Sequence, residues 1–298
     1  MVSPASAAKP ELVERGIAHL REAGYEPVLM PHALDRGPLY YAGTAAERVA
    51  DLHAAFAEDA IHGIICTRGG WGSAELLPLL DLELIRTHPK PFIGYSDHTS
   101  LQSWLWNECR MQSFYAPMVA ADWAHEDGVD EGSWRGALLP DAESRYELGR
   151  GDGLCVLRRG TAGGRILGGC LAILEAALGT PWALRIDEPC LLFLEDIFVK
   201  PYQWDRMLQH LRFAGVLESV QGIVFGDMSA NVGAGDMDHL REACLHALAW
   251  FEGPIAMGLR CGHVTSGNRS LVLGAYGMLQ CEDEARLTVG AAEGRESR

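Results

Sequence analysis

Three polar residues, Ser96, Glu195 and His263, each follow or end an apolar run, and together they have the types that nucleophilic acyl transfer needs. In open α/β sheets ligands bind outside the carboxyl ends of the strands, so residues at such run ends are the first to consider. Ser96 follows PFIGY and opens Ser96-Asp97-His98-Thr99, a strand-to-helix turn that would expose a hydroxyl beside helix amides, as in a nucleophile elbow. The second glycine of the common G-x-S-x-G elbow is absent from Gly94-Tyr95-Ser96-Asp97-His98, and on spacing alone a plain helix cap has the stronger claim. Glu195 ends CLLFLE, where a carboxylate is costly to desolvate without a partner. It is either half of a structural ion pair or the acid that orients a histidine. His263 lies past PIAMG in a loop bracketed by Gly262 and Gly267.

An anion-stabilising turn is also encoded. Thr67-Arg68-Gly69-Gly70-Trp71-Gly72-Ser73 follows the run GIICT, and backbone amides of such a turn can approach a developing oxyanion. The Asp97 amide, next after the serine, is the natural second donor. The turn lacks both the G-x-G-x-x-G spacing and the P-loop lysine, which argues against nucleotide binding. Arg68 is a candidate for a substrate carboxylate, with a surface or structural arginine as the alternative.

The elements that must position these residues read as α/β. ELVERGIAHLREAG has helical spacing up to Gly24, EPVLMP reads as a short strand, and Thr44 with Glu47 resembles a capping box opening a helix that buries Val49, Leu52 and Phe56. GIICT and PFIGY, with a leucine-rich helix between them, imply a parallel sheet covered on both faces. Residues 120 to 163 are rich in glycine and acids and read as a linker. GRILGGCLAILEAALGTPW then reads as glycines before a helix closed by Gly179 and Pro181. CLLFLE, QGIVFG and PIAMG follow as strands, with helices around Tyr202 to Ala214 and Met237 to Phe251. The expected division is an α/β domain over 1–120, an irregular segment over 121–163, and a second α/β domain over 164–298.

Composition narrows the function. The 298 residues carry 25 Lys plus Arg against 40 Asp plus Glu, a net charge of -15 that argues against broad binding to nucleic acid or anionic lipid. No apolar stretch has the length of a membrane span, and the first residues lack a secretory pattern, so the expected location is the cytoplasm. The 8 cysteines are scattered without a C-x-x-C pair and read as small core residues in a reducing compartment, not as a disulfide framework or zinc site.

The blocks TRGGWGSAELLPLLD, KPFIGYSDHTSLQ, GRILGGCLAILEAALGTPW, LLFLEDIFVKPYQWDRMLQHLRFAGVL, GIVFGDM and GLRCGHVTSGNRSLVLGA, in this order, resemble the LD-carboxypeptidase serine peptidases. That family includes murein tetrapeptide carboxypeptidases and microcin C immunity peptidases. The resemblance runs from about residue 12 to residue 279. It implies Ser96 as nucleophile, Glu195 as orienting acid, His263 as general base, and an oxyanion hole from the Gly70 and Asp97 amides. It further implies a flavodoxin-like N-terminal domain carrying the elbow, a C-terminal swivelling β/α domain, no metal or cofactor, a homodimer, and a small muropeptide as substrate.

Departures from the family pattern are few. Trp71 stands where tyrosine is usual and Cys170 where asparagine is common, so both join Arg68 as residues that would tune the substrate pocket. Only Met1-Val2-Ser3 precede Pro4-Ala5-Ser6, so a short first strand or an upstream start is expected. The implied reaction releases D-alanine from a cytoplasmic muropeptide during peptidoglycan recycling. Its rivals are a microcin-immunity-like peptidase acting on peptidyl or aminoacyl adenylates, against which the compact chain leaves little room for a recognition loop, and a non-catalytic muropeptide-binding protein, which has no need of all three residues.

Overall fold

The structure, a computed structural model, describes residues 1–138, 145–232 and 236–290. Thus 139–144 of the expected linker, and 233–235 and 291–298 of the expected second domain, lie outside the described residues. The described chain forms helices α1 (Pro10–Glu22), α2 (Ala45–Ala57), α3 (Leu82–Thr87), α4 (Thr99–Cys109), α5 (Glu131–Leu138), α6 (Leu171–Ala176), α7 (Pro201–Phe213) and α8 (Met237–Ala247). No helix among the described residues is long and apolar enough to cross a membrane.

A four-stranded sheet has the order β1-β2-β3-β10, with β1 (Ile64–Ile65), β2 (Phe92–Gly94) and β3 (Ser113–Tyr115) parallel and β10 (Leu271–Leu273) antiparallel at the edge. The larger sheet adds β4 (Tyr146–Leu148), β5 (Cys155–Arg158), β6 (Gly160–Cys170), β7 (Cys190–Glu195), β8 (Val220–Gly226), β9 (Ile255–Leu259), β11 (Tyr276–Cys281) and β12 (Ala285–Val289). Its order is β4-β12-β11-β6-β7-β8-β9-β5, with β6 to β9 parallel and antiparallel strands on either side. This is the two-part α/β architecture expected.

The continuous apolar runs have a simple cause. In β7, Leu191 and Phe193 pack into one core while Cys190, Leu192 and Leu194 pack into another beneath α7, so both faces are covered and alternation would expose nothing. A third apolar cluster lies under α1, where Val13 and Leu20 meet Trp123 and Trp134. The capping box is present: the Thr44 hydroxyl accepts from the Glu47 amide at 3.3 Å, and the Glu47 carboxylate accepts from the Thr44 amide at 2.7 Å. It starts α2 so that Leu52 and Phe56 enter the core.

Several elements differ from expectation. EPVLMP runs extended beside Met1, with the Met30 amide donating to the Met1 carbonyl at 3.1 Å, yet it forms no ladder because Pro27 and Pro31 remove donors. The leucine-rich stretch is a 3-10 turn, Ser73–Leu79, followed by the short α3. The segment 121–163 carries α5, β4, β5 and the start of β6. The glycines of GRILGG lie within β6 itself, one half of which pairs with β11 and the other with β7. At the start, Val2 makes a single parallel bridge to Cys66.

For the site, the decisive feature is the path after β9. The chain leaves the large sheet at Leu259, loops through 260–270, and re-enters the small sheet as β10 against β3. That loop is therefore tied at both ends. Because the α2 cap is exposed, Thr44→Ala should lower the unfolding free energy, read by urea titration, by about 1 kcal/mol. Phe56→Ala, at a core position, should cost about 3–5 kcal/mol by the same urea titration.

Candidate active site

Ser96 is the first residue after Tyr95 at the end of β2, and its φ of 65° is left-handed. A non-glycine residue there carries about 1 kcal/mol or more of strain, which the surroundings must sustain. Such a turn presents the hydroxyl above the carboxyl end of the sheet, so the elbow geometry exists without the second glycine. Glu195 is the last residue of β7 and is fully buried. His263 belongs to the loop that joins the two sheets.

The three side chains meet. His263 Nε2 lies 3.0 Å from Ser96 Oγ, and His263 Nδ1 lies 2.8 Å from Glu195 Oε2 and 3.1 Å from Oε1. The His263 backbone amide also donates to Glu195 Oε2 at 3.0 Å. A carboxylate on Nδ1 selects the tautomer in which Nε2 is free to accept the serine proton. Burial alone would lower the His263 pKa, but the charge and hydrogen bond of Glu195 outweigh it and hold the pKa above the ordinary 6.5. The Tyr95 ring meets the imidazole edge-on at 5.3 Å and limits its rotation.

Close approach explains Gly262. A Cβ there would lie 2.5 Å from Glu195 Cδ, and its φ of 99° is itself left-handed, so any side chain would displace the carboxylate. The loop is pinned by Asn268, whose side chain accepts from the Gly262 amide at 3.0 Å and donates to the Gly262 carbonyl at 3.1 Å. Asn268 also donates to Asp122 Oδ1 at 2.9 Å. Burial pushes the Asp122 carboxyl up to about 7, opposed by the Met118 amide and Asn268.

The glycine turn runs directly beside Ser96. A Cβ on Gly69 would fall 2.8 Å from Ser96 Cβ and 2.9 Å from its Oγ. The two residues after Ser96 hold this turn: Asp97 Oδ2 accepts from the Ser73 amide at 2.8 Å, and His98 Nε2 lies 3.0 Å from the Arg68 carbonyl. Burial presses His98 down to about 4, so it is neutral at physiological pH and donates from Nε2 to that carbonyl. Arg48, buried, clamps the far side by donating to the Gly72 carbonyl at 2.9 Å and the Pro4 carbonyl at 2.7 Å. The Gly70 amide has no protein acceptor among the described residues.

Among the pocket candidates, Arg68 is exposed and donates to the Gly69 carbonyl at 3.3 Å, and Trp71 is 39% exposed at the rim of the turn. Cys170 is different: it is paired with Glu195 in register, its amide donates to the Thr99 hydroxyl at 3.0 Å, and only 4% of it is exposed. Sequence reasoning passed over Tyr115, Asp122, Asn268 and Arg48. Two of them carried a signal: Tyr115 ends the short run SFY before Ala116 and Pro117, and Asn268 lies in the block GLRCGHVTSGNRSLVLGA.

Residues 1–116 match the model of the LD-carboxypeptidase N-terminal domain and residues 163–279 that of the C-terminal domain. A probable murein peptide carboxypeptidase of Bacillus subtilis is 32% identical over 99% of this chain and 92% of its own. The structure of a muramoyltetrapeptide carboxypeptidase from Oxalobacter formigenes superposes with a TM-score of 0.83 at 24% identity, covering 98% of both chains. An MccF-like protein from Bacillus anthracis shares the fold at a TM-score of 0.88 and 22% identity, covering 97% of this chain and 94% of its own. From its two domain matches and its full-length relative, the chain belongs to the LD-carboxypeptidase family of peptidases.

Proposed function

We propose that the protein is a serine carboxypeptidase that hydrolyses the amide between an L-centre and a terminal D-alanine in cytoplasmic murein tetrapeptides, as a step of peptidoglycan recycling. The observation that carries this reading is the continuous hydrogen-bonded chain from Ser96 through His263 to Glu195. His263 takes the Ser96 proton as Oγ attacks the scissile carbonyl. The Gly70 and Asp97 amides hold the oxyanion, and His263 then protonates the departing D-alanine amine. Water, deprotonated by the same imidazole, cleaves the acyl-enzyme. The proposal includes a homodimer, domain limits near 1–120 and 164–298, and contact of Arg68, Trp71 and Cys170 with the substrate pocket. It invokes neither metal nor cofactor.

The direct test measures D-alanine release from murein tetrapeptide, with the pentapeptide, an L-alanine-terminated peptide and an aminoacyl sulfamoyl adenylate as comparison substrates. Release from the tetrapeptide alone, falling by more than about ten-thousandfold in Ser96→Ala, is the expected result. Turnover of the adenylate alone would assign the site to the immunity-type reaction instead, and binding without turnover would make it a muropeptide receptor.

The pH profile follows from the environment of His263. Only the neutral imidazole accepts the proton, so kcat/KM should fall as pH drops through a pKa above 6.5, because Glu195 raises it. In Glu195→Gln the attraction is gone, so the acid limb should move to lower pH while the rate falls by about a thousandfold or more. Gly262→Ala, measured in the same assay, should lose activity through displacement of the Glu195 carboxylate, with substrate binding retained.

A further inference from the structure

We propose that Tyr115 is a positioning residue of this site, its hydroxyl shared between the Ser96 amide and the Glu195 carboxylate so that nucleophile and acid are registered against each other. The inference rests on Ser96 being the nucleophile. The Ser96 amide donates to Tyr115 Oη at 3.1 Å, and Tyr115 Oη donates to Glu195 Oε1. The direction of both bonds is settled by chemistry, since an amide can only donate and an ionised carboxylate can only accept. Tyr115 is fully buried, and both its burial and the Glu195 charge keep the phenol protonated, with its pKa well above 10.

Its surroundings leave it little freedom. Tyr115 ends β3, pairs through its backbone with Gly94 of β2 on one side and Leu271 of β10 on the other, and its carbonyl accepts from Cys261 Sγ at 3.3 Å. Its ring lies between Tyr95 at 5.9 Å and Phe193 at 5.3 Å. One residue thus touches the Ser96 turn and the strand of Glu195 through its side chain, and both ends of the His263 loop through its backbone. Ser96, in its left-handed conformation, has its amide held by a side chain rather than by a ladder. The same phenol draws charge density from Glu195 Oε1, which moderates the pull of the carboxylate on His263.

The test uses Tyr115→Phe, which removes one oxygen and keeps the ring, and reads the rate at which a fluorophosphonate labels Ser96. In that reaction the Ser96 Oγ–phosphorus bond forms, fluoride leaves and His263 takes the proton, so it does not depend on the natural substrate. The variant should label about tenfold to a hundredfold more slowly, with the limiting acid pKa moved upward. Its KM for murein tetrapeptide should change far less than kcat. A 3-fluorotyrosine at position 115 keeps the fold and is a stronger donor, so it should move the acid limb downward. Equal rates and an unmoved acid limb in both variants would overturn the role of Tyr115. Failure of the wild type to label, or equal labelling in Ser96→Ala, would instead overturn the nucleophile reading beneath it.

Discussion

The structure turns on a carboxylate buried where it has no water. Taking the Glu195 charge out of solvent costs of order several kcal/mol unless hydrogen bonds replace its hydration. Every replacement is local and comes from a different part of the chain: the Tyr115 phenol from β3, and the backbone amide and Nδ1 of His263 from the joining loop. If any of these is misplaced, the charge is uncompensated. The need to satisfy Glu195 therefore aligns the sheet that carries Ser96, the sheet that carries Glu195 and the loop that carries His263.

The fold meets that need by covalent routing. The chain crosses from β9 to β10 through the His263 loop, so the small sheet is completed by a strand from the far end of the sequence. Asn268, fixed by Asp122, holds the loop at Gly262, and the absence of a side chain there lets the backbone rest against the carboxylate. On the opposite side, Asp97 and His98 use their side chains to anchor the glycine turn, so the residues that follow Ser96 also fix the turn beside it. A strained serine persists because neighbours on all sides hold it.

Much of this is legible in the sequence, and the remainder is hidden for definite reasons. CLLFLE corresponds to β7 residue for residue, because a strand buried on both faces must be apolar throughout. Thr44 and Glu47 announce α2 because a capping box is local chemistry. Strand ends pick out Ser96, Glu195 and His263 as candidates, although their convergence needs the crossing from β9 to β10, which no local pattern encodes. The antiparallel strands β4 and β5 pass as linker because they are short and only partly covered. EPVLMP has strand composition, but its prolines deny it a partner. Tyr115 looks like a core aromatic, and its hydroxyl acquires a role only when β7 is brought against β3.

The most direct test of the central claim is to quench wild-type turnover of murein tetrapeptide with acid and to identify the acylated residue by peptide mass spectrometry. The account predicts an adduct on Ser96 whose added mass is that of the tetrapeptide substrate less D-alanine. An adduct on another side chain, or D-alanine release with no acyl-enzyme at any quench time while solvent oxygen enters the product in a single step, would contradict it.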